Sequence, residues 1–560
     1  MIQKEIIEAH ILENSLLHKG EAKLQAVLNA LFAEGLQKQE IPEAIPEIQE
    51  IIKKINSLSE KEKQKRYDEI RGKIKRRKKR TGLLPLENAE VGKVVMRVAP
   101  FPSGPLHIGN ARPLILNDEY AKMYNGKMYL VMDDTIGSIE KPILKDSYNL
   151  IKEGADWLRI RYDKIIYKSD RLETYYAYAE EMIKKGYMYV CSCSQEEMHE
   201  LRVKGIACAC RELPEDVQLE KWKKMFKAKS GEFTVRLKTS MQHPDPAFRD
   251  RVMFRISERK HPRTRKKYNV WPMLDFSWAI DDHLLGITHI IRGAELMIET
   301  ETEKFIWDIF GWTHPILIHT GLFQIEGIKI SKSKGAREVK SGEYIGWNDP
   351  HLWSLQSLRD RGILPESIRE FILSMGITKS NSIVAVDVLY SINKKNLDKA
   401  PRYFFVENPE KIKISGAPEL NAKLPLHPVK KLGFRIYHTG QEFYITKRDY
   451  ELINGENYRL MHLFNFKTEF SPLRGKELSF ISEQPDNNLH VRYMHWLPAD
   501  AENIKVEIRM PDNSIIKGFG EPELMNLKVG NIIQFERFGF VCLHKLDKKL
   551  RNAEFWFAHI

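Results

Sequence analysis

In the stretch RVAPFPSGPLHIGNAR, His107 and Asn110 stand at i and i+3 where an apolar strand gives way to a helix. Residues three apart share a helix face, so the two side chains meet at the first turn. Free backbone N–H groups and the positive end of the helix dipole point at the same spot, and Gly104 and Gly109 let a ligand approach the backbone closely. That combination suits the phosphates of a nucleotide. Far along the chain, KISKSKG interleaves Lys329, Lys332 and Lys334 with Ser331 and Ser333 and ends at Gly335. Flexible ammonium groups and hydroxyls also suit phosphate oxygens. Each stretch alone fits an ordinary turn or an exposed loop; the two together in one α/β order are much more specific.

A second constellation is CSC, Cys191 and Cys193, followed by CAC, Cys208 and Cys210. Two tight CxC turns can surround a tetrahedral metal ion, which makes zinc the expected occupant. A reduced, metal-free thiol cluster is the alternative. Cys542 lies in a strand-like run and reads as core.

The elements that must position these groups follow from periodicity. Lys93 to Ala99 reads as a buried strand, Leu106 to Tyr124 as a helix stopped by Asn125-Gly126, and Lys127 to Asp133 as a second strand. This β-loop-α-β unit predicts a parallel α/β sheet, whose ligands sit beyond the carboxyl ends of the strands. Helical patterns continue at 144–158 and 172–185, and sheet elements are expected at 287–292 and 316–319. Residues 1–90 are helical in pattern, as are 345–400. Beyond about 400, short β-rich runs such as GFRIYH, EFYIT and IKVEIRM recur between polar turns, predicting one or two antiparallel barrels.

Composition bounds the rest. With 42% hydrophobic and 29% charged residues over 560 positions, several domains with substantial cores are expected. No apolar run of about 18 residues occurs, and the acidic start MIQKEIIEAH lacks a signal pattern, so neither secretion nor membrane spanning is expected. Net charge is +13, and eight of the ten residues from Arg71 to Arg80 are basic. That density suits a polyanion, or a solvated linker.

RVAPFPSGPLHIGN and KISKSKG resemble the HIGH and KMSKS signatures of class I aminoacyl-tRNA synthetases, and their wording matches the glutamyl/glutaminyl branch. DDHLLGITHIIRG (281–293), GWNDPHLWSLQSLRDRGI (346–363), APRYFFVENP (400–409) and IIQFERFGFVCL (532–543) agree. The likeness runs from about residue 93 to the C-terminus and is greatest to archaeal-type glutamyl-tRNA synthetases. It implies ATP as substrate with Mg2+ as its companion, L-glutamate, tRNA(Glu) with tRNA(Gln) as a second candidate, a structural Zn2+, a cytoplasmic monomer and no membrane. By motif position, His107, Asn110, Lys329 and Lys332 would be catalytic; Gly104, Gly109 and Ser331 would join them at ATP. Arg97, Ala99, Asp133 and Arg292 would hold glutamate, with Arg292 on its side-chain carboxylate. A buried guanidinium facing a neutral amide stays uncompensated, at several kcal/mol, so glutamate is favoured over glutamine.

The resemblance divides the chain into a helical N-terminal module with a basic arm (1–92), a Rossmann-like α/β catalytic domain (93–345) with a zinc-bearing acceptor-binding insertion at about 187–280, a helical connector (346–400) and antiparallel β-barrels for the anticodon (401–560). Departures are Asn110 for the usual histidine, Val131 and Ile136 at polar positions, and Leu274 for a pocket tyrosine with Trp278 one turn on. Glutaminyl-tRNA synthetase and a tRNA-binding paralogue without catalysis are the competing readings.

Overall fold

A computed structural model describes residues 3–17, 21–74, 83–136, 142–328, 332–471, 475–486 and 489–560. The chain forms two compact units, Met1–Gly82 and Leu83–Ile560.

The first unit is helical: α1 (Lys4–Leu17), α2 (Leu24–Glu34), α3 (Ile41–Asn56) and α4 (Glu60–Ile70). Ile11 and Leu12 of α1 bury against Val27, Leu31, Ile48 and Ile55, the stripe that the helical period predicts. Ser59 caps α4 through a capping box with Glu62, and Arg66 grips Glu8 of α1 through two hydrogen bonds of 2.9 and 3.1 Å. Most of the basic arm, residues 75–80, lies outside the described residues. The expected boundary at 92 differs from the structural one. Leu86 is buried in the core of the second unit, its N–H donates to the Tyr124 hydroxyl at 2.9 Å, and His289 Nε2 lies 2.9 Å from the Glu87 carbonyl oxygen. These contacts make 83–92 part of the second unit.

That unit is built on a five-stranded parallel sheet whose strands run side by side in the order 164–167, 127–132, 95–98, 289–293 and 316–320. Its first half is β1 (Val95–Val98), α5 (Ile108–Met123), β2 (Lys127–Met132), α6 (Ser147–Trp157) and β3 (Lys164–Tyr167). Central strands of such a sheet are covered on both faces, which is why VMRV and MYLVM are apolar almost throughout. The chain then leaves the sheet through α7 (Leu172–Lys184), β4 (Met188–Cys191), α8 (Gln195–Lys204), α9 (Glu215–Met225), β5 (Thr234–Leu237), β6 (Val252–Ile256) and β7 (Val270–Pro272), whose four strands form a separate antiparallel sheet. It returns through α10 (Leu274–Leu284) to β8 (His289–Gly293), α11 (Met297–Phe310) and β9 (Ile316–Thr320). The strand order reverses between β1 and β8, and ligands of open α/β sheets bind at such a switch point.

After β10 (Phe323–Ile325) and α12 (Lys332–Ser341), the connector forms α13 (Leu355–Arg361), α14 (Pro365–Met375), β11 (Ser382–Val384) and α15 (Val386–Asn396). It is not wholly helical, since β11 pairs in parallel with β10. Buried Arg361 donates to the Phe557 and Ala558 carbonyl oxygens at 3.1 and 3.0 Å, tying α13 to the last strand of the chain.

Residues 402–559 make two seven-stranded sheets and a hairpin. The chain starts in one sheet at 402–407, builds the other from 409–498, and completes the first at 504–559. The expectation of antiparallel barrels needs correction. Among the described residues four pairings are parallel: Arg402–Tyr403 with Ile532–Phe535, Pro409–Ser415 with Gly475–Ser482, Asn457–Leu460 with Val491–Met494, and Ile504–Arg509 with Asn552–His559. Alternation of apolar and polar residues reports which face is buried, not which way a distant partner runs.

Candidate active site and metal centre

The N-terminus of α5 is organised by the two residues that the sequence singles out. His107 is the N-cap, its carbonyl oxygen accepts from the Asn110 N–H at 2.8 Å, and Asn110 Oδ1 accepts from the His107 N–H at 3.2 Å. This is the capping-box arrangement with Asn, one methylene shorter, in place of the usual Gln or Glu. It gives Asn110 a role that an imidazolium, with no acceptor lone pair, could not fill. Leu106 and Ile108 bond the backbone of Leu355 and Trp353, so the loop is strapped to the start of α13. Gly104 faces the Trp347 indole, where a Cβ would come within 3.1 Å of Cη2. A Cβ on Gly335 of α12 would stand 3.8 Å from Cζ3 of the same ring. Gly104 and Gly335, one from each of the two motifs, therefore stand against one tryptophan. Lys329 and Ser331 lie outside the described residues; Lys332 begins α12.

At the carboxyl ends of β1 and β8, beside α5, is a cavity of about 170 Å³ bounded by Arg97, Ala99, Asn110, Trp278 and Arg292, among others. Three of the four expected glutamate contacts thus line one space together with Asn110. Asp133, at the end of β2, is buried 3.2 Å from the Lys168 ammonium.

Both arginines have partners inside the protein. Arg97 donates through Nε and Nη2 to Asp282 at 2.7 Å each, and Arg292 donates through Nη1 and Nη2 to Glu303 at 2.9 and 2.7 Å and also to Thr300. Arg292 Nε is buried with no hydrogen-bond partner. Burial works against the Arg97 charge, but Asp282 outweighs it and holds the guanidinium above its ordinary value. Burial lowers the Lys168 ammonium against the opposing pull of Asp133 and Asp281, and it pushes Glu303 up to about 7 against the pull of Arg292. Trp278 is the hub of this site: Arg97, Lys168 and Arg292 lie 4.9, 5.0 and 5.3 Å from its ring centroid.

Sequence reasoning names Trp278 as a departure but misses Asp282, Glu303 and Lys168. One signal was available: Trp278 and Asp282 are i and i+4 on α10, hence on one face. Val131 and Ile136 are both buried in apolar clusters, so the two lost polar positions became packing positions.

The four cysteines converge in the inserted sheet, their Sγ atoms all within 4.8 Å of one another. Bonds of about 2.3 Å to a tetrahedral zinc place sulfurs about 3.8 Å apart; Cys191 and Cys208 Sγ stand at 3.8 Å. The donor set and spacing fit zinc. The hydrogen bond from Cys191, then Tyr189 and Arg236, draw the Cys208 thiol down to about 5 against burial, while the same hydrogen bond and burial push the Cys191 thiol up and burial raises Cys193.

A capped helix N-terminus at the switch point of a parallel sheet, with an insertion that carries a four-cysteine cluster and β-rich C-terminal sheets, is the build of a class I tRNA synthetase. The model for tRNA synthetases class I (E and Q), catalytic domain, matches 93–399, and two anticodon binding domain models of the same family match 400–476 and 493–544. The chain belongs to this family of class I tRNA synthetases for E and Q. It is 42% identical to a glutamate--tRNA ligase of Pyrococcus furiosus, covering 96% of each chain, and 41% identical to that of Thermococcus kodakarensis, covering 99% of each. A solved glutamate tRNA ligase of Elizabethkingia meningosepticum matches at a TM-score of 0.40 and 19% identity, over 55% of this chain and 70% of that one. Among the described residues no helix is long and apolar enough to cross a membrane.

Proposed function

We propose that this chain attaches L-glutamate to tRNA(Glu) in two steps. The α-carboxylate of glutamate attacks the α-phosphate of ATP, an O–P bond forms and pyrophosphate leaves. The 3′-terminal ribose hydroxyl of the tRNA then attacks the glutamyl carbonyl and AMP leaves. No protein nucleophile is needed, so the protein contributes orientation and charge. His107 and Asn110 present the amino end of α5 to the phosphates; with its Oδ1 engaged in the capping box, Asn110 still has amide N–H donors. Lys332, with Lys329 and Ser331, neutralises the departing pyrophosphate, and Mg2+ accompanies the ATP. Arg97 and Arg292 take the substrate carboxylates beside Ala99, and Asp133 takes the α-ammonium.

Cys191, Cys193, Cys208 and Cys210 would hold a Zn2+ that supplies a fixed cross-link in a lobe placed to receive the tRNA acceptor end. The C-terminal sheets take the anticodon. The protein acts as a cytoplasmic monomer, and tRNA(Gln) is a second candidate substrate.

The observation that carries the reading is the small cavity with a guanidinium on two sides, adjoining the capped start of α5. Amino-acid-dependent pyrophosphate exchange with tRNA present tests it. Glutamate supports exchange and glutamine does not; the reverse outcome would overturn the assignment.

A further inference from the structure

The amino-acid site is electrically full before a substrate enters. Its ionic groups come in matched pairs, Arg97 with Asp282, Arg292 with Glu303, Lys168 with Asp133, and Arg171 with Asp281, all buried except the partly exposed Arg171. A guest glutamate brings two carboxylates and one ammonium, so it adds one negative charge to a balanced, desolvated cluster. Exposed Glu295, at the cavity wall, adds to the repulsion. An uncompensated charge in such surroundings costs several kcal/mol. Glutamine, a neutral zwitterion, brings no such excess.

We propose that Glu303 is a positioning residue that takes up a proton when glutamate binds, releasing Arg292 to the substrate's side-chain carboxylate. This inference rests on Arg292 being the carboxylate contact named above. An O–H bond forms on a Glu303 carboxylate oxygen, and the proton comes from solvent. A protonated carboxyl cannot accept from both Nη1 and Nη2 as the carboxylate does, so one N–H becomes available to the guest alongside Nε, which is buried and already without a partner.

The surroundings single out Glu303 as the acceptor. It is fully buried on α11. Facing it are Arg292 from β8, Arg97 from β1 and Asp282 from α10, and Thr300 of α11 links Arg292 to His319 of β9, where Thr300 Oγ1 and His319 Nε2 are 2.8 Å apart. Burial holds His319 below its usual value, which leaves the imidazole neutral, so the cations facing the carboxylate are Arg292 and Arg97. Burial also holds free Glu303 at about 7, where one proton costs little. A guest carboxylate that shares Arg292 weakens the pull that keeps Glu303 ionised, so its value rises on binding.

The sign follows from linkage. Below about pH 6 free Glu303 already carries its proton and binding takes up none; near pH 8 the free form is ionised, the bound form protonated, and uptake approaches one proton. Above about pH 7, Kd for glutamate then rises about tenfold per pH unit, while Kd for glutamine does not. Selectivity for the acid is therefore proton-linked and weakens as pH rises.

Calorimetric titration of the full chain with L-glutamate in phosphate and in Tris, from pH 6 to pH 8, counts the protons. The expected result is uptake rising from near zero to about one per glutamate, and no uptake with Glu303→Gln. Binding by the wild type with no uptake at pH 8, or equal uptake by Glu303→Gln, would overturn the role of Glu303 and leave the glutamate assignment standing. No glutamate binding at any pH would instead remove the assignment of the site and this inference with it. Glu303→Asp, which keeps the charge on a shorter side chain, gives a second arm: uptake persists with a displaced onset, and an onset equal to that of the wild type overturns the proposal.

Discussion

A Cβ on Gly109 would stand 3.0 Å from both Cε1 and Nδ1 of His107. Gly109, between the two motif side chains, is bare where the His107 imidazole folds back over it. Helix propensity and site geometry pull in opposite directions here, which makes the position diagnostic. Gly109→Ala adds about 1 kcal/mol of helix propensity, so the thermal midpoint should hold or rise. The displaced imidazole should nonetheless slow pyrophosphate exchange at least tenfold. A variant that is both stable and fully active would show that the His107 rotamer does not matter.

Lys332→Ala should reduce the rate of adenylate formation by about 100-fold, because the charge that it meets develops as pyrophosphate leaves. Affinity for tRNA should change little. The comparison is single-turnover adenylate formation against filter binding of tRNA; equal losses in the two would assign Lys332 to tRNA binding.

Cys208→Ser removes the thiol that its neighbours draw furthest toward the thiolate. Elemental analysis should find about one zinc per wild-type chain and well under half of that in the variant. Charging of tRNA should fall more than amino-acid activation, since the cysteines lie in the inserted sheet and not at the cavity. Unchanged metal content would refute the ligand role.

Asp282→Ala leaves the Arg97 guanidinium buried without its counter-charge and should destabilise the second unit by about 3–5 kcal/mol. The double variant Arg97→Met with Asp282→Leu should recover much of that stability while remaining inactive with glutamate. Chemical denaturation monitored by tryptophan fluorescence distinguishes the two. A single variant as stable as the wild type would mean that water reaches Arg97.

Local pattern made a large part of this legible. The first strand, the helix after it and the second strand can be read from Lys93 to Asp133 because a buried parallel strand is apolar on both faces and Asn125-Gly126 ends the helix between them. The paired CxC turns foretell the sulfur cluster because each turn already holds two of the four thiols together. Those signals are carried by residues that are neighbours in the chain, and short-range sterics and hydrogen bonding enforce them.

The partners of Arg97 and Arg292 are of another kind. Asp282 and Glu303 are acidic residues on helices, and in a linear reading each is an ordinary surface charge; only the return of α10 and α11 to the sheet buries them against the guanidinium groups. The same holds for Trp347, which draws Gly104 and Gly335 together, and for the parallel pairings among the C-terminal strands. Residue type and spacing settle what a segment can bury and which chemistry it carries. Which charges neutralise one another is decided by packing, because the Coulomb energy of a pair depends on the distance and dielectric that the closed fold imposes on it.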